Sequence, residues 1–164
     1  MSRRSAPRRA ITIVEVIIAS AILLLAASAL TYAITTGVML SAAAADNCRA
    51  NALAGALLEE IIALPYADAE GDPDPGPDAG ETSRALFDNM DDFDNYTEAA
   101  GTLTDAAGVA YPAQFGQFSR SVDAVYENLT ITGFSAAVVG LTVTVTVQDA
   151  QGQAWTVKRF MAEP

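Results

Sequence analysis

An uninterrupted run of uncharged residues near the N-terminus constrains this chain most. The run covers residues 16–45, and a single acidic residue, Glu15, stands directly before it. A helix needs about 20 apolar residues to cross a bilayer, so the run is long enough for one membrane span. An ionised, unpaired carboxylate inside such a segment costs roughly 2.5–3.5 kcal/mol. Glu15 is therefore predicted to be functional; the alternative is a carboxylate that lies at the membrane surface and stays in water.

A short basic segment precedes the run and contains four arginines within residues 1–10. The positive-inside rule then predicts a cytoplasmic N-terminus and an outward-facing C-terminal body. Residues 8–19 (RRAITIVEVIIA) resemble the class III signal of type IV pilins and type II secretion pseudopilins. The resemblance implies cleavage by prepilin peptidase between Ala10 and Ile11, N-methylation of Ile11, and Glu15 as the fifth mature residue. Two positions depart from the family, which usually has Gly in place of Ala10 and Phe or Met in place of Ile11.

The resemblance also implies what the chain does. It predicts a structural subunit, a minor pilin or pseudopilin, that assembles through its N-terminal helix and is not an enzyme. The implied partners are other pilin or pseudopilin subunits, prepilin peptidase and the inner membrane, with the C-terminal domain in the periplasm before filament entry. Removing the leader leaves one amine at the membrane edge. Glu15 of a neighbouring chain is expected to neutralise it, because closely paired opposite charges recover part of their desolvation cost.

Alternatives remain open both for the N-terminal segment and for the function. Residues 27–29 (ASA) fit the cleavage pattern of an ordinary secretory signal, although Glu15 interrupts the apolar region and hydrophobicity continues to Leu40. A plain uncleaved anchor is the second alternative, carrying a membrane-tethered binding module with an acidic loop. An enzyme is the third, since paired carboxylates hydrolyse glycosides, but here they crowd into a loop without an evident scaffold.

Composition excludes several kinds of site. Residues 11–164 carry 20 acidic and 5 basic side chains, a formal net charge of −15. Such a surface repels nucleic acid, which is bound through clusters of Lys and Arg. The chain has no histidine, which excludes Ser-His-Asp catalysis and imidazole-bound metals. Cys48 is the only cysteine and is expected to pack as a small apolar residue; the alternative is a disulfide with another chain.

Periodicity predicts an α+β fold. Apolar residues recur at helical spacing up to Leu64, where Pro65 ends the helix, so one long helix is expected from Ile11 to Leu64. Residues 141–147 alternate between apolar residues and threonine, residues 149–152 form a turn, and further strands are expected at 118–126 and from residue 155. Phe160 falls on the opposite parity, which predicts a bulge or a strand end there. The predicted segments are a leader (1–10), a transmembrane and assembly helix (11–45), an amphipathic continuation (46–64), an acidic loop region (65–115) and an antiparallel sheet (116–164).

The acidic loop region contains the candidate metal site. Residues 68–105 hold 12 acids and one base, and three prolines within residues 72–78 predict a mobile surface loop. Residues 58–61 (LEEI) and 86–96 (LFDNMDDFDNY) resemble minor pilins of the mannose-sensitive hemagglutinin type of pilus system. Calcium takes six to eight oxygen ligands, and Asp88, Asp91, Asp92 and Asp94 are candidates to supply them. The spacing lacks the EF-hand pattern, so solvated loop acids without a cofactor are the default interpretation.

Overall fold

A computed structural model describes residues 12–66, 75–130 and 137–164. One long helix is followed by a small antiparallel sheet, which is the α+β arrangement expected from the sequence. The helix, α1, spans Ile13–Ile61; the strands are β1 (Thr97–Glu98), β2 (Ser119–Leu129), β3 (Val138–Gln148) and β4 (Ala154–Ala162). Among the described residues between α1 and β2 there are three single-turn 3₁₀ helices, at Arg84–Leu86, Asp91–Phe93 and Ala113–Phe115. The chain divides into two compact units, Met1–Ala44 and Ala45–Pro164.

The helix α1 ends three residues before the predicted position. Beyond Ile61 the N–H groups of Ala63 and Leu64 bond three residues back, to the carbonyl oxygens of Glu60 and Ile61. This tighter turn follows from Pro65, because a proline pushes the preceding residue out of the α region. The carbonyl of Pro65 in turn accepts the N–H of Met90 at 3.1 Å, which ties the end of the helix to the loop that follows. Part of the proline-rich stretch predicted as a loop, residues 72–74, lies outside the described residues.

The core of the Ala45–Pro164 unit lies between the second part of α1 and one face of the sheet. Leu53, Leu57 and Ile61 recur every four residues on one side of α1 and are fully buried. They belong to the same apolar cluster as β3, whose inward positions also have no exposed surface: Leu141, Val143, Val145 and Val147. Burying a side chain of this size stabilises the fold by about 1.5–3 kcal/mol, so this cluster is the main source of stability in the unit.

The sheet has the strand order β1-β2-β3-β4, with every neighbouring pair antiparallel. The turn between β3 and β4 forms as predicted: Asp149 N–H donates to the carbonyl of Gln153 at 3.0 Å, and Gly152 adopts a φ of 85°. The prediction of a bulge or strand end at Phe160 is wrong, because β4 pairs with β3 without interruption up to Ala162. Phe160 instead lies on the outer face of the sheet, opposite Thr142 and over Gly140, where the absent side chain leaves room for its ring.

Candidate functional site

Glu15 lies in the first turn of α1, with its side chain exposed. Thr12, directly before the helix, accepts the N–H of Glu15 on its hydroxyl oxygen at 3.3 Å. A threonine followed three residues later by glutamate is the spacing of a capping box, and a carboxylate in the first turn is favoured by the helix dipole. Within the described residues no cation pairs with Glu15. Glu15 therefore supports the start of the helix and leaves its charge available to another group.

The first part of α1 is apolar on all sides. Its mean hydropathy reaches 2.5, and the large side chains from Ile13 to Leu40 are exposed. Four of its hydroxyl side chains bond within the helix, donating to carbonyls three or four residues back: Ser20, Ser28, Thr31 and Thr35. Hydroxyls satisfied in this way are compatible with hydrocarbon, where water is absent. By length and composition α1 is able to cross a membrane once. The predicted processing site, Ala10 and Ile11, lies outside the described residues.

The described part of the acidic loop region is folded, and three of its carboxylates are buried. Asp91 and Asp92 are each only 2% exposed and Glu98 is 7% exposed, so the prediction of solvated loop acids is wrong for these three. Asp92 Oδ2 accepts the N–H groups of Asp88 and Asn89 at 2.8 and 3.0 Å, and Asn89 Oδ1 accepts those of Asp91 and Asp92. Buried polar groups need such partners. The clustered Asp and Asn side chains therefore act here as caps that hold a tight turn.

The four predicted calcium ligands do not form one group: Asp88 and Asp92 lie together, whereas Asp91 and Asp94 bond to β2. Asp91 Oδ2 accepts the hydroxyl of Tyr126 at 2.9 Å, and Asp94 Oδ1 accepts the N–H of Ala124 at 3.0 Å. Both bonds join the loop to β2. Asp91 and Asp94 thus fasten the loop to the sheet, and neither belongs to the carboxylate group that forms around Asp88 and Asp92.

Asp88 and Asp92 converge with a third acid that the sequence did not single out, Glu81. One carboxylate oxygen from each of the three lies within 4.8 Å of the others. Burial is the largest cause that raises the pKa of Glu81; the negative charges of Asp92 and Asp88 raise it further, while the N–H of Asp78 lowers it. Three carboxylates could hold a cation, but calcium needs at least six oxygens and one Asp92 oxygen already accepts two N–H groups.

A network of alternating charges, buried at Glu98 and Arg120 and partly buried at Glu60 and Arg84, connects α1, the loop and the sheet. Arg84 Nε donates to Glu60 Oε1 at 2.7 Å, and Arg84 Nη1 donates to Glu98 Oε1 at 3.2 Å. Glu98 Oε2 accepts Arg120 Nε at 2.7 Å, and Arg120 has no exposed side-chain surface. Burial alone would lower the pKa of Arg84, yet its bonds to Glu60 raise the pKa above the ordinary value. This pairing positions residues 84–105 against the helix and the sheet.

The sequence contains one signal for this network, the position of Arg120 within β2. Arg120 has the same parity as Val122 and Ala124, which are the inward positions of β2. A charged residue at an inward position implies a buried partner, because an unpaired charge is almost never buried. The prediction for Cys48 is also wrong: the residue lies exposed on α1, so it does not pack as a small apolar residue within this chain.

Comparison with known protein families, with curated proteins and with solved structures gives no match for this chain.

Proposed function

We infer that this chain is a structural subunit of a type IV pilus or type II secretion filament, a minor pilin or pseudopilin. Its N-terminal helix would drive assembly after prepilin peptidase removes the leader. The observation that carries the proposal is Glu15: a lone acid in the first turn of a 49-residue helix whose first part is apolar and exposed. An inner-membrane position with a periplasmic C-terminal domain belongs to the same proposal.

Two unfavourable free-energy terms of the isolated chain favour an assembled state. The exposed apolar surface of α1 requires lipid or protein around it, since unburied apolar area is unfavourable in water by about 25 cal/mol per Å². Glu15 requires a cation, since an unpaired carboxylate in an apolar segment is costly. A second copy with a free amine at Ile11 would supply both partners. A filament of packed helices thus removes both costs at once.

The experiment separates the charge of Glu15 from its capping role. Glu15→Gln keeps a side chain suited to the capping box but removes the charge, whereas Glu15→Ala removes both. If the carboxylate pairs with a neighbour's amine, both variants insert into the membrane, are cleaved, and lose subunit cross-linking to a similar extent. The matched control is Glu59→Gln, which removes an exposed acid from the second part of α1.

One result would contradict the proposal. Assembly of Glu15→Gln at the wild-type level, together with impaired Glu15→Ala, would mean that Glu15 serves only to start the helix. The filament proposal would then lose its main support, and a plain membrane anchor would become the better account.

The alternative function is a membrane-tethered binding module. The observation that favours it is the convergence of Glu81, Asp88 and Asp92. A ligand that binds only the native state raises its stability. We expect millimolar calcium to leave the melting temperature of the full chain unchanged, because the three carboxylates offer too few free oxygens. A rise with calcium that magnesium does not reproduce, and that Asp88→Asn abolishes, would favour the binding module.

A further inference from the structure

The outer face of the sheet, turned away from α1, is arranged in rows that cross three strands. Strand pairing places Asp123 of β2 and Lys158 of β4 on either side of Thr144 of β3. Neighbouring strands lie about 4.8 Å apart, so the two charged residues stand about 10 Å from each other across the sheet. Both are exposed, and neither forms an ion pair with a described residue.

Lys158 is notable because free cations are scarce in this acidic unit. Outside the N-terminal leader the chain has five basic residues. Three of them pair within the chain, namely Arg49 with Asp46, Arg84 with Glu60 and Glu98, and Arg120 with Glu98. Among the described residues only Lys158 and Arg159 carry positive charges without an acidic partner. Of these two, Lys158 alone lies on the outer face, since Arg159 pairs in register with the inward Val143.

In the two rows that flank the charged row, the β2 residue and the β4 residue are of the same chemical type. Towards one end of the sheet, Val125 and Phe160 flank Thr142, so both ends of that row are apolar. Val125 is 45% exposed, and Phe160 is partly exposed. Towards the other end, Ser121 and Thr156 flank Thr146, so both ends carry a hydroxyl group.

We propose that this outer face is a docking surface for a second copy of the same chain, related by a two-fold axis parallel to β3 and passing over Thr144. This axis exchanges the two ends of every row. Asp123 then faces Lys158 of the copy, Val125 faces Phe160, and Ser121 faces Thr156. An interface of this kind is isologous, so each contact occurs twice.

The charges select this axis over the other two-fold axis in the plane of the sheet. An axis running across the strands would place Asp123 over Asp123 and Lys158 over Lys158, and like charges in contact are costly. A two-fold axis parallel to the strands instead places Asp123 of each copy against Lys158 of the other, which gives two attractive pairs. Face-to-face sheets keep their strand directions within about 30° of each other, which both axes satisfy, so the charges alone discriminate between them. The docking surface therefore pairs opposite charges, apolar groups and hydroxyl groups in a single arrangement.

The test uses the full chain in detergent micelles, with Cys48→Ser removing the exposed native thiol and Thr144→Cys placing a thiol near the proposed axis. A short bismaleimide cross-linker should join two copies through the thiols introduced at position 144. A chain with Val139→Cys in place of Thr144→Cys carries an accessible thiol on the opposite face of β3, where Val139 is 47% exposed, and should remain largely uncross-linked. Equal cross-linking of the two positions would overturn the proposal, because it would report only co-occupancy of micelles.

Charge reversal then tests the pairing itself. Lys158→Asp and Asp123→Lys, each alone, should lower the cross-linked fraction about tenfold, because two attractive pairs become repulsive. The double variant Asp123→Lys with Lys158→Asp should restore it. Arg159→Asp is the matched control: it makes the same charge change on the adjacent residue but on the other face, and should leave cross-linking unchanged.

Two outcomes of the reversal experiment would overturn the proposal. Cross-linking that survives Lys158→Asp would show that the charged row is not in the interface. A loss that the double variant fails to restore would show that Lys158 meets an anionic group other than Asp123 of a second copy. The dimer does not depend on the filament proposal, so Glu15→Gln should leave the cross-link at position 144 unaffected.

Discussion

Arg120 and Glu98, 22 residues apart in the chain, form the central ion pair of the network of alternating charges. The bond from Arg120 Nε to Glu98 Oε2 measures 2.7 Å, and Arg120 Nη2 also donates to the carbonyl of Thr104 at 2.7 Å. Glu98 is bound by Arg84 as well, so one carboxylate compensates two guanidinium groups. Removing one member of a buried pair leaves the other charge uncompensated, which is more costly than never having had the pair.

Glu98→Gln should lower the free energy of unfolding by about 3–5 kcal/mol. The physical reason is that Arg120 stays charged and buried while its acidic partner becomes neutral. Urea unfolding of the full chain, followed by the fluorescence of Trp155, measures the change; Trp155 is the single tryptophan and packs edge-on against Phe118 at 5.9 Å. Glu59→Gln, on the exposed side of α1, should change stability by no more than about 0.5 kcal/mol. Equal effects of the two variants would show that the network contributes nothing specific.

Gly140→Ala should destabilise the sheet. A methyl group at Gly140 would collide with the carbonyl oxygen of Met161 and the ring of Phe160. Relieving the collision requires a shift of the β4 backbone, and strain of this kind costs about 1–3 kcal/mol. Gly55→Ala is the matched control: it lies in α1 with open space around it and should raise stability by about 0.5–1 kcal/mol. The same urea experiment measures both, and a Gly140→Ala chain as stable as wild type would contradict this packing.

Glu81 should make stability depend on pH. Its pKa is raised in the folded chain, so the folded state binds the proton more tightly than the unfolded state. Stability is then lost as pH rises from the ordinary value of 4.5 through the raised pKa. Glu81→Gln should therefore melt at a higher temperature than wild type at pH 7, and the difference should shrink towards pH 4. A difference that does not vary with pH would contradict the raised pKa.

Processing should produce a mature chain that begins at Ile11 with a methylated amine. The expectation rests on the signal around Ala10 and Ile11 and on the position of Glu15. Mass spectrometry of the protein from membranes measures it, and Ala10→Glu should leave the leader attached. A mature N-terminus at Leu30, directly after the secretory cleavage pattern at residues 27–29, would instead identify an ordinary secretory signal.

Local sequence patterns predicted the secondary structure well. The alternation of residues 141–147 became the centre of β3, and the turn at 149–152 formed with Gly152 at positive φ. The apolar spacing of Leu53, Leu57 and Ile61 became the buried side of α1. Each of these features depends on neighbours a few residues away, which is why a periodicity argument finds them. The alternation of residues gave a wrong prediction at Phe160, where no bulge or strand end forms, because Gly140 on the adjacent strand leaves room for the ring.

The sequence by itself determined the long helix, its apolar exposed first part, the position of Glu15 and the antiparallel strands, because periodicity and hydrophobicity act locally. Only the tertiary structure decided which charges are buried. Asp91 and Asp92 look like surface residues in the sequence, yet both are buried, and Asp91 accepts the hydroxyl of Tyr126 from a distant strand. Arg120 has the parity of an inward residue, but only the folded chain shows that Glu98 is its partner. Whether a polar side chain lies inside a protein depends on its partners, and those partners meet only when the chain folds.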